Sequence, residues 1–229
     1  MTAGLPLLVT RPDPGGAATV ERARALGLDA RPMPLFEAHA LPWTAPDPAD
    51  FDAMLVTSAQ AVRLSGPELV RLAALPVHAV GAATAQAAEA AGLTVAAAGD
   101  SDAQHLLGAM ASQGIGSILW LCGRDRSAFD ARGARLVAIP CYAVDPVPPP
   151  REWAGLIAAP AVLLAHSARG AARIADLAGA ARKHLKLVAI SAKAAAAAGG
   201  GWAEIAVAGR PNDAAMLAEA HALCHKGDK

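Results

Sequence analysis

VHAVGAATAQAAEAAGLTVAAAGDSDAQHLL, from Val77 to Leu107, can be laid over LKLVAISAKAAAAAGGGWAEIAVAGRPNDAAML, from Leu185 to Leu217. A spacing of 110 residues separates Gly81 from Ser191, Gly99 from Gly209 and Leu107 from Leu217. Self-similarity at a fixed spacing marks duplicated structural units. Each copy reads as a short apolar strand, a Gly or Ser at the turn, an Ala-rich helix, a second strand and the entry to another helix. Strands alternating with helices argue for α/β units on parallel sheets. Just upstream the likeness continues, because MLVTSAQAV from Met54 resembles LLAHSARGA from Leu163.

Working outward, further strands are expected at Leu7–Thr10, Ala53–Val56, Val77–Val80, Thr94–Ala97, Ile118–Leu121, Ala161–Ala165, Leu187–Ile190 and Ile205–Val207. Most lack polar alternation, as strands covered by helices on both faces require. The middle copy ends on Ile118–Leu121 and CGRD, whereas the C-terminal copy stops one strand short. LLVTR at Leu7–Arg11 resembles LWLCGR at Leu119–Arg124 and supplies the missing unit. The expected fold is therefore two similar parallel-sheet, flavodoxin-like α/β domains joined by a two-stranded linker, with one domain inserted into the other. Residues 1–36 and 147–229 form the discontinuous domain, 47–135 the inserted one, and 37–46 and 136–146 the crossings. Both crossings lie in extended stretches, Ala30–Leu41 and Leu136–Pro146, flanked by proline clusters.

Composition restricts the chemistry. At 229 residues and 54% apolar content the chain has enough material for one large core or two modest ones. Twenty basic residues balance twenty acidic ones, so no overall field favours nucleic acid or an anionic membrane. Cys122, Cys141 and Cys224 show no C-x-x-C spacing and read as buried thiols of a cytoplasmic protein. Met1–Leu8 lacks the build of a secretory signal. The uncharged run Ala154–Ala168 is too short to span a bilayer. No dinucleotide, nucleoside-triphosphate, serine-hydrolase or zincin motif is present. His221 and His225, at i and i+4, lack a third ligand and read as a solvated helix face. Asp125, Asp100 and Asp102 read as helix-entry residues rather than an acid/base pair.

The functional signal lies in the repeated strand-to-helix junctions: VTRPDPGG at Val9, TSAQAV at Thr57, VGAATA at Val80, LCGRDR at Leu121, HSARGA at His166 and AISAKA at Ala189. In an open parallel sheet the carboxyl ends of the strands line the ligand crevice. Helix N-termini there suit carboxylates or phosphates. Ser58, Ser167 and Ser191 also fit as N-caps, a role that by itself accounts for serine at those positions. Tyr142, the only tyrosine, lies in IPCYAVDP on the second crossing. It is either packing on a strand or a weak acid poised over a ligand.

VTRP, then DAMLVTSAQAV, VHAVGAATAQAAEAAG, the tyrosine with a proline four residues on, S-A-R-G-A and A-G-R-P-N-D-A-A-M-L together resemble the uroporphyrinogen-III synthase family in that order, over nearly the whole chain. The resemblance implies two α/β domains with the N-terminal segment completing the C-terminal one. It implies a lyase that closes the linear tetrapyrrole hydroxymethylbilane to uroporphyrinogen III with loss of water and inversion of the last ring, without metal or organic cofactor. Carried over residue by residue, Tyr142 assists departure of the hydroxyl. Thr57, Ser58, Gly81 and Thr84 hold carboxylates from one domain, and Ser167 and Ser191 from the other, with Arg11 and Lys193 as charge partners. The partners implied are a polycarboxylate tetrapyrrole and the upstream deaminase that delivers it to a cytoplasmic monomer. No nucleic acid or membrane is implied. The chain departs from the family at Gly123–Gly133, which is short and implies a truncated helix, and at Ala194, where a Thr is common. A non-catalytic organic-anion-binding or regulatory relative is the rival reading, since the same junctions serve ligand capture.

Overall fold

The computed structural model describes residues 4–99 and 102–225 and divides into two compact units. One joins the residues up to Glu37 with those from Asp145 onward, and the other is Ala38–Val144. In chain order the elements are β1 (Leu7–Val9), α1 (Gly15–Ala25), β2 (Ala30–Pro32), β3 (Phe36–Ala40), β4 (Ala53–Val56), α2 (Ala59–Leu64), β5 (Val77–Val80), α3 (Ala82–Ala90), β6 (Val95–Gly99), α4 (Ala103–Ser112), β7 (Ser117–Gly123) and β8 (Arg135–Pro146). There follow α5 (Trp153–Ile157), β9 (Val162–Ala165), α6 (Ala168–Ala178), β10 (Lys186–Ala189), α7 (Ala192–Ala198), β11 (Glu204–Val207) and α8 (Asp213–His225).

The discontinuous unit carries a five-stranded sheet in the order β11-β10-β9-β1-β2, and each of its strand pairs is parallel. The continuous unit carries six strands in the order β3-β8-β7-β4-β5-β6. Its core pairs are parallel. Leu41 N–H donates to the Cys141 carbonyl and Val147 N–H to that of Leu35, so β3 runs against β8.

The two orders are the same once β9, β10 and β11 are set on β4, β5 and β6, and β1 and β2 on β7 and β8. The registers agree as well: Met54 faces Val77 and Leu163 faces Leu187, while Leu119 lies beside Met54 and Leu8 beside Leu163. Pairing therefore equates Leu8 with Leu119 and Leu7 with Ile118, one residue away from matching LLVTR to LWLCGR at their first leucines. The arginines are not equivalent, because β7 runs on to Gly123 whereas β1 stops at Val9.

Burial explains why the strands are apolar runs. All four residues of β4 and of β9 are buried. In the continuous unit, Met54, Val56, Leu119 and Leu121 pack with residues of α2 and α3. Their neighbours Ala53, Leu55, Ile118 and Trp120 pack with Leu106, Leu107 and Met110 of α4 on the other face. In the discontinuous unit, Leu7, Val9, Val162, Leu164 and Val188 pack against α1 and α8. Successive residues of a strand point to opposite faces, so both faces need apolar cover.

The region after CGRD differs from expectation. A truncated helix is implied by the resemblance, but no helix lies between Gly123 and Arg135. Asp125 accordingly enters no helix and pairs with Arg124 at 3.4 Å. The counterpart of this stretch in the other unit is α1. Where Val9 packs under α1, its equivalent Trp120 packs against Phe129, with ring centroids 4.9 Å apart, and fills the space a helix would cover. Asp102 does cap α4, accepting from His105 N–H at 2.8 Å, and Asp100 lies outside the described residues. The stretches read as extended crossings form β2, β3 and β8.

β8 carries one irregularity with consequences for chemistry. Cys122 pairs with Pro140 but Gly123 pairs with Tyr142, so Cys141 is an extra residue. Pro140 has no N–H for the ladder, and a bulge is where an interior strand tolerates proline. Strict alternation would place Tyr142 with Leu136 and Ala138 on the α4 side. The bulge turns it instead to the side of Val137, Ile139 and Cys141, where α2 lies.

Candidate functional site

A parallel sheet whose connections leave in opposite directions from two adjacent strands has a crevice at the carboxyl ends of those strands. In the continuous unit the two strands are β4 and β7, and polar side chains meet there. Thr57 follows β4, and its Oγ1 accepts from Trp120 Nε1 of β7 at 3.2 Å. That bond uses a lone pair of the hydroxyl and leaves its hydrogen free to donate. Ser58 comes next and caps α2, its Oγ accepting from Gln60 N–H at 3.2 Å. Tyr142 reaches over from β8 toward the Ser58 hydroxyl. Burial pushes the Tyr142 phenol above its ordinary pKa, and the Ser58 hydroxyl offsets part of the rise. A raised pKa keeps the proton on the phenol, which can then donate it.

Gly81 and Thr84 lie one strand further along, after β5. Gly81 is the N-cap of α3 at φ +82, a left-handed conformation that suits glycine, and its own N–H is used by the Gly99 carbonyl at 2.7 Å. This junction presents the N–H groups of Ala82 and Ala83 rather than a side chain, because those of Thr84 and Ala85 donate to the Gly81 carbonyl. Thr84 is buried within that turn.

In the discontinuous unit the corresponding crevice lies between β1 and β9. Thr10 Oγ1 spans it, donating to the Leu164 carbonyl at 2.8 Å. Beyond stand Arg11 after β1, His166 after β9, and Asp213 at the start of α8. Asp213 accepts from His166 Nε2 at 2.9 Å, Thr19 Oγ1 at 2.9 Å and Arg22 Nη2 at 2.7 Å, and lies 3.8 Å from Arg11. Burial favours the neutral acid at Asp213, but the hydrogen bonds from His166, Arg22 and Thr19 outweigh it and hold the carboxyl well below its usual range. An ionised carboxylate only accepts, so His166 carries its proton on Nε2. Burial lowers the His166 pKa, with Asp213 opposing, and its buried Nδ1 has no partner. Arg11 is the least engaged of the cations around Asp213 and remains about one-third exposed. Ser167 caps α6, accepting from Gly170 N–H at 2.9 Å, and Ser191 caps α7, accepting from Ala194 N–H at 3.3 Å. Lys193 is exposed on the first turn of α7.

All three serines are thus helix caps, and Ser58 additionally faces Tyr142. Thr57, Ser58 and Tyr142 come together, as do Arg11 and the Ser167 junction. Gly81 with Thr84, and Ser191 with Lys193, occupy the next strand end of their respective units. Sequence reasoning misses Trp120, Gly123, His166 and Asp213. The cysteines are buried, and burial pushes Cys122 and Cys224 up to about 11, which makes them poor nucleophiles. His221 and His225 stack on α8 with ring centroids 4.6 Å apart. No helix among the described residues is long and apolar enough to cross a membrane.

These features define an α/β protein with a duplicated parallel sheet and polar strand ends. A family model described as "Uroporphyrinogen-III synthase HemD" matches residues 17–218. The chain belongs to the uroporphyrinogen-III synthase family, enzymes of heme biosynthesis. The uroporphyrinogen-III synthetase of Helicobacter pylori 26695 is similar in structure, with a TM-score of 0.69 at 17% identity over 96% of this chain and 99% of that one. A mutant uroporphyrinogen III synthase of the extremely thermophilic bacterium Thermus thermophilus gives a TM-score of 0.54 at 20% identity over 95% and 97%. No curated protein matches the chain. Family membership does not favour the rival reading of a non-catalytic anion binder.

Proposed function

We propose that this chain cyclises hydroxymethylbilane to uroporphyrinogen III, a hydro-lyase reaction. Breaking the hydroxymethyl C–O bond releases hydroxide character that must be neutralised. The Tyr142 phenol donates its proton, water departs, and an azafulvene cation remains, stabilised by the electron-rich pyrrole. Attack by the substituted carbon of the last ring gives a spiro intermediate, whose rearrangement inverts that ring. Loss of the pyrrole carbon's proton restores aromaticity and returns the phenolate to phenol, so one water leaves and the enzyme is unchanged. The observation that carries this reading is the bulge that turns Tyr142 to the α2 side of the β4/β7 crevice, where Thr57 and Ser58 stand.

Positioning supplies the rest of the catalysis, because the cation collapses readily and the enzyme must select which carbon attacks. Thr57 with its free hydroxyl hydrogen, the first-turn N–H groups beyond Gly81 at Thr84's turn, the Ser167 and Ser191 junctions, Arg11 and Lys193 each grip carboxylates. β3 and β8 serve as the two-stranded linker. The protein works as a cytoplasmic monomer that takes its labile substrate from the upstream deaminase.

Purified protein supplied with hydroxymethylbilane freshly made by that deaminase should yield the type III isomer. Product of type I alone, the spontaneous isomer, overturns the reading. Tyr142→Phe should stay folded and lose about ten- to a hundredfold in kcat, at or below the usual range for general acid catalysis because departure of the hydroxyl is easy.

A further inference from the structure

Tyr142 reaches its position only because two neighbours permit it. A Cβ on Gly123 would sit 3.0 Å from Tyr142 Cζ and 3.2 Å from the phenolic oxygen, tight enough that the ring would have to move aside by a few tenths of an ångström. Gly123 does not have a positive φ, so its backbone conformation does not require glycine; the ring lying over it is what crowds a larger residue there. Arg124 N–H donates to the Tyr142 carbonyl at 2.8 Å and closes the bulge on this arrangement. The Ser58 hydroxyl, which caps α2 by accepting from Gln60 N–H, also faces the phenol and counters part of the effect of its burial.

We propose that Gly123 and Ser58 are positioning residues that act through Tyr142, Gly123 by leaving room for the ring over β7 and Ser58 by seating the phenol at the start of α2. This rests on the acid role of Tyr142 and gives Ser58 a different task from gripping substrate. A carboxylate-gripping serine affects KM, whereas a serine that seats an acid affects kcat.

The test combines kinetics with a spectroscopic signature. Tyr142 is the only tyrosine, so [13Cζ]-tyrosine labelling gives a single resonance that reports the phenol's surroundings. Gly123→Ala should move that resonance and lower kcat by the same about ten- to a hundredfold as Tyr142→Phe, with KM within about twofold. Ser58→Ala, which adds no bulk and remains informative if Gly123→Ala folds poorly, should lower kcat by a smaller factor, again at constant KM. In the Tyr142→Phe background neither substitution should cost further rate, since effects through one group do not add. A resonance unmoved by Gly123→Ala, losses that multiply with Tyr142→Phe, or a Ser58→Ala effect confined to KM overturns the proposal. A Tyr142→Phe variant as fast as the parent overturns the acid role instead, and the resonance still decides whether Gly123 and Ser58 seat the ring.

Discussion

Asp213 organises one end of the discontinuous unit with a single carboxylate. Thr19, Arg22 and His166 all donate to it, and Arg11 stands at 3.8 Å. Asp213→Asn keeps the shape but removes the charge, and should cost about 2 kcal/mol at pH 7, the scale of hydrogen bonds to charged groups. The folded pKa lies below the ordinary 3.8, so this contribution is present above that value and is lost as pH falls below it toward the folded pKa. The stability gap between parent and variant, read from urea unfolding, should be full at about pH 6 and narrow below about pH 4. A gap constant with pH would show that the charge does not carry it. His78 and His166 act in another window, since burial lowers both from 6.5. As pH falls just under that value the unfolded chain takes up protons that these folded imidazoles resist, and stability declines. Arg11 was named in VTRP through the family resemblance rather than from its own chemistry. The His166–Asp213 pair was not, because 47 residues separate its members and only the sheet brings the end of β9 to the start of α8.

At the scale of elements, the duplicated strands were readable because buried parallel strands must be apolar runs, and β1, β4 to β7 and β9 to β11 lie within two residues of the expected positions. The bulge at Cys141 was not readable, since proline in an extended run signals an irregularity without saying which face the next side chain takes. The residues alone therefore left Tyr142 between packing on a strand and a weak acid over a ligand. The absent helix after β7 was hinted at by a short segment, but its compensation was not. Trp120 lies 4% exposed where Val9 lies under α1 in the other unit. Trp120→Val, which copies the equivalent residue without supplying a helix, should open a cavity against Phe129 and cost about 3 kcal/mol in urea unfolding. It also removes the indole N–H from Thr57, so KM should rise if Thr57 grips substrate. Parent-like stability would mean that the loop, rather than the indole, fills this space.

For the whole molecule, the shared strand order implies that the chain is a duplicated unit whose second copy begins at one end of the sequence and finishes at the other. β1 lies between β9 and β2 in the sheet, so the C-terminal segment by itself lacks an interior strand and leaves β9 with an unpaired edge and an uncovered apolar face. The continuous unit is in one piece, and its point of insertion is narrow: Val147 N–H donates to the Leu35 carbonyl at 3.1 Å. A chain in which a Gly-Ser turn joins Leu35 directly to Val147 should therefore fold without the inserted unit. Its urea unfolding should be cooperative, with an m-value scaled to the smaller surface it exposes. Residues 145–229 alone should show no cooperative transition and should recover one when a peptide of residues 1–37 is added. If the C-terminal segment alone unfolds as cooperatively as the joined chain, β1 and β2 are not integral to its core and the duplication does not govern folding. Neither the joined chain nor the C-terminal segment carries Tyr142, so both should lack cyclase activity, whatever their affinity for carboxylates at the β1/β9 crevice.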